Sequence, residues 1–267
     1  LALRTSFRPP RIGRVPSFLP LWLAIGLTPT SLATCFRFSV PNSGAIAASY
    51  GSVSAVTFVT AISFLEMEQI GFGGHMVAVM ALMEAPSIIV GVLLIAYFDK
   101  DRPADFSIPT VIKHSITNGS VLLILGSLFI GFVASEQQAE GIKPFTTDLF
   151  KGFLAVFLLD MGITSGKKLA DFIKKGWFAL GFAIVIPLIN GSIVAISSSA
   201  FSSSDGDRFL FSILAASASY IAVPAAMQLA APKANPSLYL PMALAITFPF
   251  NITLGMPLYM GLVECYP

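Results

Sequence analysis

Ala48-Ser49-Tyr50-Gly51-Ser52-Val53-Ser54-Ala55-Val56-Thr57 and Ala215-Ala216-Ser217-Ala218-Ser219-Tyr220-Ile221-Ala222-Val223-Pro224 decide the fold of this chain. Both runs are dense in small residues and Ser, and both place a Tyr beside the Ser cluster. They lie inside apolar stretches, Ala45–Leu65 and Phe209–Leu229. Each stretch is followed by a short connector and then a long apolar segment carrying proline: Pro86 in Met76–Phe98, Pro249 and Pro257 in Leu238–Val263. One supersecondary unit therefore occurs twice.

Further apolar stretches lie between the two units at Ile116–Ala134, Gly152–Gly166 and Gly176–Phe201. A weaker one, Phe18–Leu32, is interrupted by Pro20 and Pro29. An α-helix needs about 20 apolar residues to cross the hydrocarbon, and unbroken runs without ten-residue alternation read as helices rather than barrel strands. Five steps separate the first Ser-rich span from the second, so the two copies point in opposite directions. Inverted repeats with broken helices at the midplane are the architecture of secondary transporters, because freed backbone is tolerated in a membrane only where it lines a cavity or is buried in protein. The expected fold is an all-α integral membrane protein of this kind, with two discontinuous Ser-rich helices crossing at the midplane. Its expected divisions are an atypical N-terminal segment (1–42), truncated or unrelated to the rest, the end of a first inverted repeat (43–98), a cytoplasmic linker (99–115) and a second repeat of five helices (116–265).

Composition agrees. Of 267 residues 55% are hydrophobic and 11% charged, against about a quarter charged in a soluble domain, which excludes a water-soluble globule. A net charge of +2 gives no reason to invoke nucleic acid. Cys35 and Cys265 lie near opposite ends, so neither a disulfide framework nor a metal cluster can be argued. An intramembrane hydrolase would want a Ser–His or paired-Asp arrangement or a metal site. His75 and His114 both sit at span edges, so the chain is expected to be no enzyme and to carry no cofactor beyond a coupling ion. Residues 1–37 hold Arg4, Arg8, Arg11, Arg14 and Arg37 and no acid. Such a start can mark a transit or signal segment, so an organelle membrane stands as the alternative to a bacterial inner membrane.

Loop charges set the orientation. Arg37, Lys100, Arg102, Lys113, Lys167, Lys168, Lys174, Lys175 and Lys233 collect on one side, and Lys143, Lys151 and Arg208 on the other, together with the four Arg before residue 17, which are left out of the balance as part of the atypical start. The first side is expected to be cytoplasmic and the C-terminus external. The basic loop of Lys167, Lys168, Lys174 and Lys175 serves mainly to set this orientation.

The Ser clusters have two readings. Half-helix N-termini offer unpaired N–H groups and a positive dipole end, and hydroxyls add donors, which together suit a small anion. Unwound carbonyls at the same breaks can hold Na+. The plain alternative is close packing through small residues. Two clusters in inverted copies favour the anion site. Glu84 and Asp160 are the two formal charges inside the seven main spans. An acid as deep as Glu84 costs about 2.5–3.5 kcal/mol to insert, and no Lys or Arg lies within those spans to neutralise it. Glu84, two residues before Pro86, is therefore a candidate cation ligand. The carbonyl of Leu82, which Pro86 leaves without its helical N–H donor, is a further oxygen beside it. Asn251 is the counterpart of Glu84 in the second unit.

At these residues the chain resembles a known family. Tyr50-Gly51-Ser52-Val53-Ser54-Ala55-Val56-Thr57, continued by Ser63-Phe64-Leu65-Glu66, resembles the first substrate-binding helix of the sodium-dependent bicarbonate transporters known from cyanobacteria. Ala216–Pro224, Ala234-Asn235-Pro236-Ser237 and Gly255-Met256-Pro257-Leu258-Tyr259 resemble their last two helices, and Met161-Gly162 with the basic loop resembles their seventh. The resemblance covers about residues 43–265. It implies ten helices in two inverted repeats, a homotrimer, a PII-like cytoplasmic regulator, and bicarbonate held between the fourth and ninth helices. Carried over position by position, it implies substrate contacts at Gly51, Ser52, Ser54, Thr57, Ser217 and Ser219. The chain departs from the family where the cyanobacterial proteins have a longer Ser run ending in Asp; here the run is Ser217-Ala218-Ser219-Tyr220. The expected function is sodium-dependent bicarbonate symport, the alternatives being another small anion or a passive anion channel, whose flux would not depend on sodium.

Overall fold

A computed structural model describes residues 38–98, 119–173 and 177–266. The apolar stretch Phe18–Leu32 and the linker 99–115 lie outside the described residues. Everything regular among the described residues is helical: α1 (Val40–Gly51), α2 (Ala55–Met67), α3 (His75–Phe98), α4 (Gly119–Val133), α5 (Glu136–Lys143), α6 (Phe150–Ile173), α7 (Trp177–Ser197), α8 (Asp205–Ala216), α9 (Ala222–Ala230) and α10 (Pro236–Cys265). Among the described residues, four helical stretches are long and apolar enough to cross a membrane: Val40–Met67, His75–Leu93, Trp177–Ala200 and Pro236–Cys265.

The Ser-rich stretch Phe209–Leu229, expected to be discontinuous, is two helices, α8 and α9, of 12 and 9 residues. One expected span is corrected. Gly152–Gly166 is too short a reading, because α6 runs for 24 residues. It includes Lys151 and Lys167, just outside the expected bounds, which a hydropathy pattern discards but a helical backbone continues through.

Prolines shape the long helices by leaving carbonyls without their usual donor. Pro187, inside α7, frees the Ala183 carbonyl, and the Thr247 hydroxyl of α10 donates to it at 2.7 Å. In α10, Met242–Thr247 and Asn251–Gly255 widen into π-helix ahead of Pro249 and Pro257. Such widening is common near functional sites.

Small residues set the closest contacts. A Cβ on Gly91 of α3 would lie 2.6 Å from Ala48 Cβ, and one on Gly44 of α1 would strike Ile95. Gly44 and Ala48 stand four apart on α1, the small-xxx-small spacing that lets membrane helices approach. Gly191 of α7 is covered by the Tyr259 ring and Ala216, and Ser212 donates to its carbonyl at 2.7 Å.

Two apolar clusters form the core. One joins α1 and α9 with α3, α7 and α10, through Ile46, Ile88, Phe182, Met227 and Phe248. The other joins α2 and α8 with the far part of α10, through Phe58, Leu65, Phe209, Leu210 and Tyr259. The side chains of Phe129, Phe132, Phe153, Val156 and Ile193 are exposed on the outer surface. In water so large an apolar surface would drive association; here it suits lipid.

The interhelical contacts sort the loops by end. At one end Gly73 N–H donates to Asp207, Lys151 pairs with Glu66 at 2.9 Å, and Arg208 donates to the Tyr266 carbonyl. At the other, Asn235 N–H donates to the Asn42 side chain at 2.7 Å. The chain from α1 to α2 therefore starts at the end where α9 finishes, and it finishes where α8 starts.

The turn after α2 carries the one non-glycine residue of positive φ among the described residues, Gln69 at 58°. Its N–H reaches the Glu66 carbonyl and the Ile70 N–H reaches Leu65, a Schellman closure in which glycine is the usual occupant. Gln69→Gly is expected to stabilise the detergent-solubilised protein by up to about 1 kcal/mol, by removing the Cβ penalty of the left-handed conformation. A lowered thermal midpoint would refute it.

Candidate functional site

α1 ends at Gly51 and α2 begins at Ala55, and Ser52 and Ser54 between them are extended. Ser has little to lose at such a break, since its hydroxyl can replace missing helical partners. Ser54 is the N-cap of α2, accepting from the Thr57 N–H at 3.2 Å. Ser52 donates to the Glu84 carbonyl at 3.4 Å, and Ser87, one turn along α3, donates to the Gly51 carbonyl. The last carbonyl of α1 is thus satisfied from α3, the helix beyond the one that follows the break.

The second break repeats this with other residues. Ser217 is the extended C-cap of α8, and its hydroxyl donates to the Leu214 carbonyl at 3.0 Å. Ser219 accepts from the Val223 N–H at 3.4 Å. Asn251 of α10 donates to the Ala216 carbonyl at 2.8 Å, and the Tyr259 hydroxyl, which donates to the Pro187 carbonyl at 3.1 Å, lies 3.5 Å from the Asn251 side-chain oxygen. Asn251 therefore does at the second break what Ser87 does at the first. Pro224, three positions into α9, has no N–H to offer the Tyr220 carbonyl, which keeps α8 and α9 from fusing.

The two breaks are bonded directly to each other. Ser219 N–H donates to the Ser49 carbonyl at 2.8 Å, and the Ser49 hydroxyl donates to the Ser219 carbonyl at 2.5 Å. Ser54 N–H donates to the Ser217 hydroxyl at 3.1 Å. A layer of Ser hydroxyls and half-helix ends therefore lies between the two apolar clusters. Ser49, Ser52, Ser54, Thr57, Ser217 and Ser219 are all buried in it, and Gly51 is half-buried. The tyrosines of the two runs differ. Tyr50 OH lies 2.9 Å from the Thr247 hydroxyl; because Thr247 already donates to Ala183, Tyr50 is the donor there. Tyr220 is buried beside Ser54 with its hydroxyl lacking a hydrogen-bond partner.

All eight sequence-level candidates are thus located. Gly51, Ser52, Ser54 and Thr57 belong to the first break, with Glu84 engaged through its carbonyl; Ser217 and Ser219 belong to the second, with Asn251. Glu84 and Asn251 are both buried, each beside its own break. The residues missed in sequence are Ser49 and Ser87. Ser49 lies inside the quoted run, but the family resemblance assigns no contact to it. Ser87 follows Pro86 directly, and that adjacency was the available signal. Asp160 is exposed on α6 among exposed Val156, Leu159 and Ile163.

Apolar helices with lipid-suited outer faces, surrounding a buried polar layer, define a multi-pass integral membrane protein. The family model described as the Na+-dependent bicarbonate transporter superfamily matches residues 14–264, and the chain belongs to that superfamily. The match begins ahead of residue 43, from which the sequence resemblance was drawn, and takes in the stretch Phe18–Leu32. No curated protein matches the chain in a sequence comparison.

Proposed function

We propose that the chain is a sodium-dependent bicarbonate symporter of the inverted-repeat type, with its two broken helices meeting near the midplane of the bilayer. The observation that carries this reading is the set of hydrogen bonds that joins the two breaks, Ser49 with Ser219 and the Ser54 N–H with Ser217, and so holds the segments leading into α2 and α9 together in one buried place. The first-turn N–H groups of a helix have no intrahelical acceptor and sit at its positive end. Two such ends converging from opposite directions, lined by hydroxyls, suit a small monoanion. Gly51, Ser52, Ser54, Thr57, Ser217 and Ser219 are its proposed surroundings. A passive channel would need no second ion, whereas membership of a Na+-dependent superfamily favours coupling.

Glu84 and Asn251 are the proposed oxygen donors for Na+, one at each break. A carboxylate near the carbonyl freed by Pro86 suits a hard cation, which prefers oxygen ligands. The homotrimer that the resemblance implies would cover the exposed α6 face and take Asp160 out of lipid, where an acid is costly. A PII-like regulator would dock at the end bearing the basic loop, and a bacterial inner membrane is the proposed setting.

The test is uptake of labelled bicarbonate into proteoliposomes holding the full chain, with and without a sodium gradient. Uptake that requires sodium supports symport, and uptake indifferent to sodium points to the channel. In the same assay Glu84→Gln, which keeps size and one oxygen but removes the charge, is expected to raise the sodium concentration for half-maximal uptake about tenfold, equivalent to about 1.4 kcal/mol. An unchanged sodium dependence would make Glu84 a protonated structural acid.

A further inference from the structure

We infer that Tyr220 contacts the transported anion, its hydroxyl donating a hydrogen bond to one of the anion's oxygens at the N-terminal end of α2. This rests on the anion site proposed above and adds a residue that the family resemblance does not assign.

Tyr220 is 6% exposed, and its hydroxyl oxygen is buried without a hydrogen-bond partner. The hydroxyl lies beside the side chain of Ser54, the N-cap of α2, without completing a hydrogen bond to it. The Ser54 oxygen is already engaged by the Thr57 N–H. The ring direction is fixed from behind, because Phe248 stacks edge-on at 5.5 Å and 67°. Buried hydroxyls normally find a partner, and a tyrosine that keeps its donor unused at a 13-residue helix's N-terminal end points at what that end binds.

Tyr50 supplies the internal comparison. It occupies the matching place in the first Ser-rich run, is equally buried, and donates to Thr247. The protein therefore satisfies one tyrosine from within and leaves the other open on the side of the site. A phenolic donor reads a negative oxygen, and with the Ala55 and Val56 N–H groups, which precede the Thr57 N–H taken by Ser54, it would complete a donor set on one side of the anion.

Tyr220→Phe keeps the ring and its contact with Phe248 and removes only the hydroxyl. The readouts are bicarbonate uptake by proteoliposomes at saturating sodium and the thermal midpoint of the purified full chain with and without bicarbonate. Tyr220→Phe is expected to raise the bicarbonate KM roughly ten- to a hundredfold, the range for a lost hydrogen bond to a charged group. The maximal rate and the sodium half-saturation should hold, and the bicarbonate-free midpoint should not fall, since an unpartnered hydroxyl contributes nothing to the empty state. Tyr50→Phe should do the reverse, lowering the midpoint and leaving KM in place.

An unchanged bicarbonate KM in Tyr220→Phe would overturn the inference, as would a fall in the bicarbonate-free midpoint, which would show the hydroxyl bonded within the protein. An equal KM rise in Tyr50→Phe would also overturn it by assigning the effect to the aromatic layer. A parent protein that neither takes up bicarbonate nor is stabilised by it would remove the site reading itself, and Tyr220's role with it. The two failures are thus distinguished by the parent alone.

Discussion

Arg208→Met is expected to destabilise the protein by about 1.5–3 kcal/mol, the range for losing hydrogen bonds made by a charged group. Arg208 is 2% exposed, and its guanidinium joins three places in the fold. It donates through Nε to the Ser198 hydroxyl at 3.2 Å and through Nη2 to the Ala195 carbonyl at 3.4 Å, at the C-terminal end of α7. Nη2 also donates to the Tyr266 carbonyl just past α10. Two negative helix ends thus converge on one cation, where a positive charge is favoured. The pairing with Asp205 at 3.3 Å adds little, because that carboxylate is 55% exposed. Methionine keeps most of the stem's packing, so the effect isolates the lost hydrogen bonds. Arg208→Lys should fall between, since an ammonium cannot reproduce the planar fork. The measurement is the thermal midpoint in detergent, and a midpoint within a degree or so of the parent would show that water can replace the guanidinium.

The second large effect concerns the anion. Ser54→Gly and Ser219→Ala are each expected to weaken bicarbonate binding roughly ten- to a hundredfold, the loss of a hydrogen bond to a charged group being worth about 1.5–3 kcal/mol. The choice of glycine at position 54 matters. Ser54 caps α2 through the Thr57 N–H, and replacing an N-cap Ser by Ala costs about 1 kcal/mol, by Gly only a few tenths. Ser54→Gly therefore removes the hydroxyl while nearly sparing the helix. At Ser219 the bonds to Ser49 that hold the breaks together use the backbone N–H and carbonyl of position 219, which alanine retains. If small residues serve only close packing, both variants should bind bicarbonate as the parent does. Equal half-saturation constants would settle the matter for packing.

Much of this molecule is decided by residues close together in sequence. Apolar runs long enough to cross a bilayer, Ser residues able to cap a helix within three positions, and prolines that free a carbonyl four positions back all act locally. The membrane character, the positions of both breaks and six of the residues around them could therefore be read from the chain itself. Local patterns also mislead in a definite way. Gly152–Gly166 read short because Lys151 and Lys167 lower hydropathy without ending the helix.

The tertiary structure alone decided which groups meet. Ser49 bonds to Ser219 across 170 positions, Ser54 to Ser217 across 163, and Tyr50 to Thr247 across 197. Arg208 reads as an ordinary loop charge until the ends of α7 and α10 close over it. Tyr50 and Tyr220 sit in matching runs, yet one hydroxyl is satisfied and the other left open. The reason is physical: helix formation and capping depend on neighbours within a turn, whereas a hydrogen bond between distant segments depends on how whole helices pack, and a pattern along one chain carries little of that.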